Sequence, residues 1–572
     1  MLTRRLLTLA LALVAALACT SSAAPPRPAS PAGYRASAPA RPGGAAVLAD
    51  FEYPQALNPL MARTDADLRA STLLFAPLWG LNPSLQPYPD LVRRVPSPAN
   101  GQVRTGRDGR STTVDVRLVP GLRWSDGQPI TADDLVFTWE ALRDPDFPGQ
   151  VPAGLDRIQR MDRRSATEVV WTLAGIDPGY VDLGAALFVL PAHRLRSVPV
   201  ATWAQDGYFR QPDVVSGPFT VAEAVPFDHL ILAANPRYTG GRAARGAYLD
   251  GGAPFTHAPY LEHVVLQTPP GKSVEVQSLL AEGIDAGFHL LPDDMADLQG
   301  ATGSATVVTT GLRDEFLNPN HGTNVDTGTA PPWSGDDRVL QALDGALDRA
   351  ALVRDMLGGA GKPARGLYPR ALMGPATGVA LPAGPGLEKA QRLLEAAGWR
   401  TGADGVRAKA GRRLAFALTG ICGRTDIDRE LDLIRRQWLP LGVAVTTGCE
   451  AQDVFFQHNR QGAFDMTLYS NGWRPDPGAW ASTGVTGGTD NWNRCQDRAL
   501  DAAFARLGGT LDPAARRGAA QVAEREWLRA RCTIPLFEWP EVRQVSKRLR
   551  NFVPNPAAAD SWNAADWWLT PA

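Results

Sequence analysis

Cysteine, net charge and long apolar runs are all scarce in this sequence, and each shortage excludes something. The 572 residues hold 58 Lys plus Arg against 59 Asp plus Glu, a formal net charge of -1. Such a balance argues against a nucleic-acid surface or a polybasic membrane surface. Beyond the first twenty residues no stretch approaches the roughly 20 apolar residues that a spanning helix needs. Neither GxSxG nor HExxH occurs, and the cysteines have no zinc spacing. The 7 His are scattered without a His-x-His pair, which argues against a metal site; His321 and His458 are the ones to watch there.

The N-terminus has its own chemistry. "MLTRRLLTLALALVAALAC" combines Arg4 and Arg5 with an apolar run from Leu6 to Ala18 and small residues before Cys19, the layout of a secretory signal over residues 1–18. Cys19 stands where a bacterial lipoprotein signal places its lipidated cysteine, although Leu17 lies two residues before it and not the usual three. Residues 19–46, rich in Ala, Pro and Ser, read as a flexible tether. The remaining residues are too many for one core and imply two or three domains. The other four cysteines, Cys422, Cys449, Cys495 and Cys532, lie in the C-terminal third. An exported chain would pair them, and four cysteines allow three pairings. Cys422 with Cys449 and Cys495 with Cys532 is preferred because each pair brackets a helix-like segment; four free thiols are the alternative.

"LRWSDGQPITADDLVFTWE", residues 122–140, gathers Asp126, Asp133 and Asp134 and invites a hydrolase reading with two carboxylates. Local physics supplies another use for each. Val114, Val116 and Leu118 alternate with polar residues as in a half-buried strand. Asp126-Gly127 makes a tight turn. Thr131 and Asp134 form a near capping box, with Asp133 also in the first turn of a helix that ends near Arg143. These acids read as scaffold.

Further along, Val339, Leu340, Leu343, Leu347 and Met356 mark the buried face of a helix from Asp336, ended by Gly358 and Gly359. "LEKAQRLLEAAGW" (387–399) places Leu387, Ala390, Leu393, Leu394 and Ala397 on one side. "DRELDLIRRQWLPLGVAVTTG" reads as helix, Pro440 stop and strand. Ser216 in "SGPF" suits a Gly-Pro turn better than a nucleophile. Periodicity alone says only mixed α and β.

The order of these segments carries more. "LRWSDGQPITADDLVFTWE", "VSGPFTVAEAVPFDHLILAANPRY" (214–238), "VQSLLAEGIDAGF" (276–288), "DDRVLQALDGALDRAALVRDMLGGAG" (336–361) and "LEKAQRLLEAAGW" together resemble family 5 of the bacterial extracellular solute-binding proteins, from about residue 47 to the C-terminus. The resemblance implies an α/β, periplasmic-binding-protein-like two-lobe fold of cluster C type, with an extra domain inserted in lobe one. Lobe one would comprise 47–81, 206–312 and 535–572, the extra domain 82–205, and lobe two 313–534. It further implies a monomeric receptor of an ABC importer, with no cofactor, that closes on an oligopeptide and delivers it to a permease with ATPase subunits. A nickel chelate, an oligosaccharide, a sensing role or an exported hydrolase are the alternatives.

"FDMTLYSNGWRPDPGAW" (464–480) resembles the family's cleft segment. There Asp476, three residues after Trp473, matches the acid that receives a peptide's α-ammonium, or else a downstream Asp-Pro that forms a turn. Trp473, Trp480, Asn471 and Arg474 would line the pocket. Ser470 stands where some oligopeptide receptors have Arg.

Overall fold

A computed structural model describes residues 36–107, 109–238, 259–291, 293–373, 381–382, 384–423 and 426–571. The signal segment and Cys19 lie outside the described residues, as does the tether up to residue 35. From Ser37 the chain is already attached to the body. The Ser37 carbonyl accepts from Asn551 Nδ2 (2.8 Å) and Trp568 Nε1 (3.0 Å).

Two long antiparallel strands, Ser304–Pro319 and Ile534–Ser546, form the spine of an 11-stranded sheet. On one side of the spine lie Met466–Gly472, Ala415–Ile421 and Ala444–Glu450; on the other lie Ala286–Leu290, Ala45–Ala49, His263–Gln267 and the hairpin Phe219–Val225/His229–Ala234. Pairing along the spine slips between Thr310 and Asp314, opposite Pro540 and Glu538. Strand Ala286–Leu290 runs toward this slip on one side, with Leu290 opposite Val542, and strand Met466–Gly472 runs toward it on the other, with Gly472 opposite Arg313. The C-terminal ends of strands from both halves therefore meet at one place.

The stretch 122–140 is scaffold. Strand Ser111–Arg117 buries Thr112, Val114 and Val116 within a 4-stranded antiparallel sheet. Gly127 takes φ +96°, which the turn requires. The Thr131 N–H donates to Asp134 Oδ2 (2.8 Å), and Thr131 Oγ1 accepts from the Asp133 N–H (3.3 Å), capping helix Ala132–Leu142. Such a cap contributes about 1 kcal/mol. Asp134 Oδ1 also accepts from the Ala192 N–H (2.9 Å), Asp126 pairs with His193 (2.8 Å) and Asp133 with Arg163 (3.3 Å).

This small sheet shares one continuous core with the Ala45–Ala49 half of the main sheet, where Trp79, Trp124, Trp171 and Trp203 are fully buried. A second core lies under the other half around Phe416, Trp438 and Leu468. A third, around Trp473, Phe504 and Trp527, underlies the helical hairpin Arg498–Gly508/Pro513–Ala530. The helix expected from Asp336 is two helices, Arg338–Gly345 and Arg349–Leu357. Asp348 breaks it because its side chain accepts from the Ala351 N–H (2.9 Å), starting a new N-terminus. Gly358, at φ +55°, ends the second helix as its sequence implies.

Both expected disulfides are present, with Cα–Cα separations of 5.0 Å for Cys422–Cys449 and 5.4 Å for Cys495–Cys532. The second ties the base of the helical hairpin to the start of the spine. A non-reducing digest should recover these two pairs and no other. Replacing Cys495 and Cys532 together by Ser should lower stability by about 3 to 4 kcal/mol, read from guanidinium unfolding.

Candidate functional site

Strand Met466–Gly472 delivers the chain to the meeting point of the two halves, and the segment after this strand builds a cavity of about 380 Å³. Trp473 is buried and packs edge-on against Tyr368 (centroids 5.1 Å) and at a tilt against Trp480 (5.0 Å). The Tyr368 hydroxyl donates to the Pro477 carbonyl (3.2 Å), so one side chain positions both ends of the segment. Asn471, Trp473, Arg474 and Trp480 all line the cavity. Phe316, Phe456, Tyr469, Trp492 and Trp527, which sequence reasoning did not single out, complete the aromatic wall, and Asp490 is its carboxylate.

Asp476 is absent from that lining. Its carboxylate is ion-paired with Arg516 from helix Pro513–Ala530 and accepts from the Gly478 N–H (3.0 Å). Within the chain the Asp476 carboxylate thus meets the Arg516 guanidinium, and its oxygen caps the turn Pro477–Trp480. A guanidinium also stands beside Ser470: Arg313, on the neighbouring strand, donates to Ser470 Oγ at 2.8 and 3.1 Å. No local motif announces Arg313 or Arg516, since one acts across a strand pair and the other over 40 positions.

The segment is also tied to the far side of the molecule. The Asp476 N–H donates to Asp182 Oδ2 (2.7 Å), on helix Tyr180–Ala186. That helix is seated by Gly184, where a Cβ would lie 1.8 Å from the Trp79 ring, and by Trp79 Nε1, which donates to the Val181 carbonyl (2.7 Å). Burial, reinforced by the Asp476 carboxylate, pushes the Asp182 carboxyl up to about 7. Its unfolded value is near 3.9, so the folded state holds the proton more tightly. The resulting stability is complete below about pH 3.9 and is lost as pH rises through about 7. Asp182→Asn should therefore melt higher than the parent at pH 8, with a smaller difference at pH 5.

Opposite, at the ends of strands Ala45–Ala49 and Ala286–Leu290, Phe51 and Leu291 are 53% and 60% exposed. His289 packs edge-on to Phe51 (5.5 Å) and bonds Asp50 (3.3 Å) and Asp65 (3.0 Å). Burial lowers the imidazole, but the two carboxylates outweigh it and raise His289 to about 9. This stability is present below about pH 6.5 and lost as pH rises through about 9. His289→Gln should flatten the stability profile across that interval, read by thermal unfolding.

Among the described residues no group of three His, Cys, Asp or Glu could hold a metal ion, and no helix is long and apolar enough to cross a membrane. His458 bonds Glu450 (3.1 Å) and His321 the Arg531 carbonyl (3.1 Å).

Residues 96–493 match the model of the bacterial extracellular solute-binding proteins, family 5. The chain belongs to that family. Among its relatives, the oligopeptide-binding protein AppA of Bacillus subtilis is 23% identical over 440 residues, 75% of this chain and 74% of AppA. The structure of AppA in complex with a nonapeptide superposes with a TM-score of 0.66 at 20% identity, covering 93% of this chain and all of AppA (100%). The HbpA2 structure from Haemophilus parasuis gives 0.76 at 19% identity, over 92% and 100% of the two chains. The fold is the two-lobe α/β fold of these binding proteins, and the chain is a substrate-binding receptor.

Proposed function

We propose that this receptor captures an oligopeptide between two lobes and delivers it to an ABC permease driven by ATPase subunits. The observation that carries the reading is the aromatic cavity after strand Met466–Gly472, at the place where strand ends from both sides of the spine converge, and AppA with its nonapeptide supplies the precedent. Trp473 and Trp480 give flat apolar surface to the ligand, and Asn471 and Arg474 give it hydrogen bonds. Asp476 shapes the segment by holding Arg516.

Lobe one comprises 47–81, 206–312 and 535–572, with the extra domain 82–205 on it and lobe two at 313–534. The shared core of lobe one and the extra domain supports this division, and the slip between Thr310 and Asp314 supports a crossing at 312/313. Hinges absorb backbone change at such element irregularities, and closure needs only tighter binding to the closed form.

A lipidated Cys19 and the tether would hold this monomer at the outer face of the membrane. A non-enzymatic role is favoured because Asp126, Asp133 and Asp134 are all engaged in turn, cap and ion-pair work. Mass spectrometry of molecules released from the purified protein should find peptides; a sugar or metal chelate alone would refute the peptide ligand. Trp480→Ala should weaken peptide binding about tenfold, measured by calorimetric titration.

A further inference from the structure

Three charged side chains stand on or beside the cavity-building segment, and they differ in what they meet within the chain. Asp476 has Arg516. Arg474 lines the cavity and is exposed. Asp490 lines the cavity and is exposed. It is held only by neutral hydroxyls, Ser482 Oγ at 2.7 Å and Thr489 Oγ1 at 3.4 Å, and no cation of the described residues pairs with it.

The surroundings of Asp490 are aromatic. Phe456 packs against Tyr469 (6.2 Å) and Trp492 (6.0 Å), and all three rings line the cavity together with Trp480. The Trp492 N–H donates to the Asp490 carbonyl (2.8 Å), fixing ring and carboxylate in one turn. Burial and the nearby Asp490 charge hold the Tyr469 phenol well above its ordinary range. Aromatic faces attract cations, and a carboxylate accepts a charge-assisted hydrogen bond from an ammonium or guanidinium.

We infer that the cavity takes a cationic group of the ligand, an ammonium or guanidinium, with Asp490 as counter-ion and the rings of Trp480, Trp492 and Tyr469 as its walls. The inference rests on the peptide-receptor reading and specifies the peptides. The cation is either a basic side chain or the α-ammonium, and suitable probes separate the two.

Tryptophan fluorescence titrations would compare acetyl-Ala-Lys-Ala, acetyl-Ala-norleucine-Ala, free-amine Ala-norleucine-Ala and agmatine on the full chain and on Asp490→Asn. A cationic probe should bind about tenfold or more tightly than its neutral counterpart, and Asp490→Asn should bring that ratio toward one. A gain for the acetylated lysine peptide assigns the site to a side chain; a gain for the free-amine norleucine peptide alone assigns it to the α-ammonium. The preference of the unaltered protein, and its decline as salt rises from about 0.02 to 0.5 M, decides the matter even where the variant fails to fold. Equal affinity for charged and neutral peptides overturns the cation site and leaves the peptide receptor standing. Binding of agmatine without any peptide keeps the cation site and overturns the peptide reading. Binding of no probe overturns both.

Discussion

The antiparallel pairing of Ser304–Pro319 with Ile534–Ser546 carries both halves of the molecule. Every other strand of the main sheet attaches, directly or through neighbours, to one edge of this pair. Its register sets where the C-terminal strand ends converge, and hence where a ligand can be met from two sides. At the slip, Asp314 and Glu538 lie directly opposite each other and are both buried. Like charges so placed are unfavourable. Burial, then the neighbouring Glu538, holds the Asp314 carboxyl well above the usual range, and Arg370 pairs with Glu538. The slip is therefore an electrostatically distinctive place in the spine.

From that place the site is built outward by side chains that lock one another. Tyr368 fixes Trp473 and the turn after it; Arg516 fixes Asp476; Asp182 holds the backbone of Asp476 from the opposite side. These bonds turn a loop into a wall with little freedom left to lose on binding, which is what preorganisation contributes to affinity. The same bonds use up the carboxylate of Asp476 and leave Asp490 facing the cavity.

Much of the local structure was legible in the residues. The capping box at Thr131 and Asp134, the turn at Gly127, the stop at Gly358 and the alternation of strand Ser111–Arg117 all depend on neighbours within a few positions. The disulfide pairs were legible too, because each brackets one compact helical segment. The break at Asp348 was not, since an apolar stripe can continue across two helices while a capping side chain divides them. Within the site, "SNGWRPDPGAW" marked four residues of the cavity lining by type and position, but the wall from Phe316, Phe456 and Trp492 had no signal in that stretch.

By itself the sequence determined the helices, caps, turns and the segment order that marks the family, because short-range geometry and hydrophobic spacing act within a few residues. It also determined that tryptophans and polar side chains would come after strand Met466–Gly472. Only the tertiary structure decided which charges are satisfied inside the chain. Asp476 and Arg516 are 40 positions apart, and Asp182 and Asp476 are 294 apart. Whether a carboxylate faces a guanidinium or an open cavity depends on the register of strands and the docking of helices. Those are properties of the whole packed molecule, which no local pattern encodes.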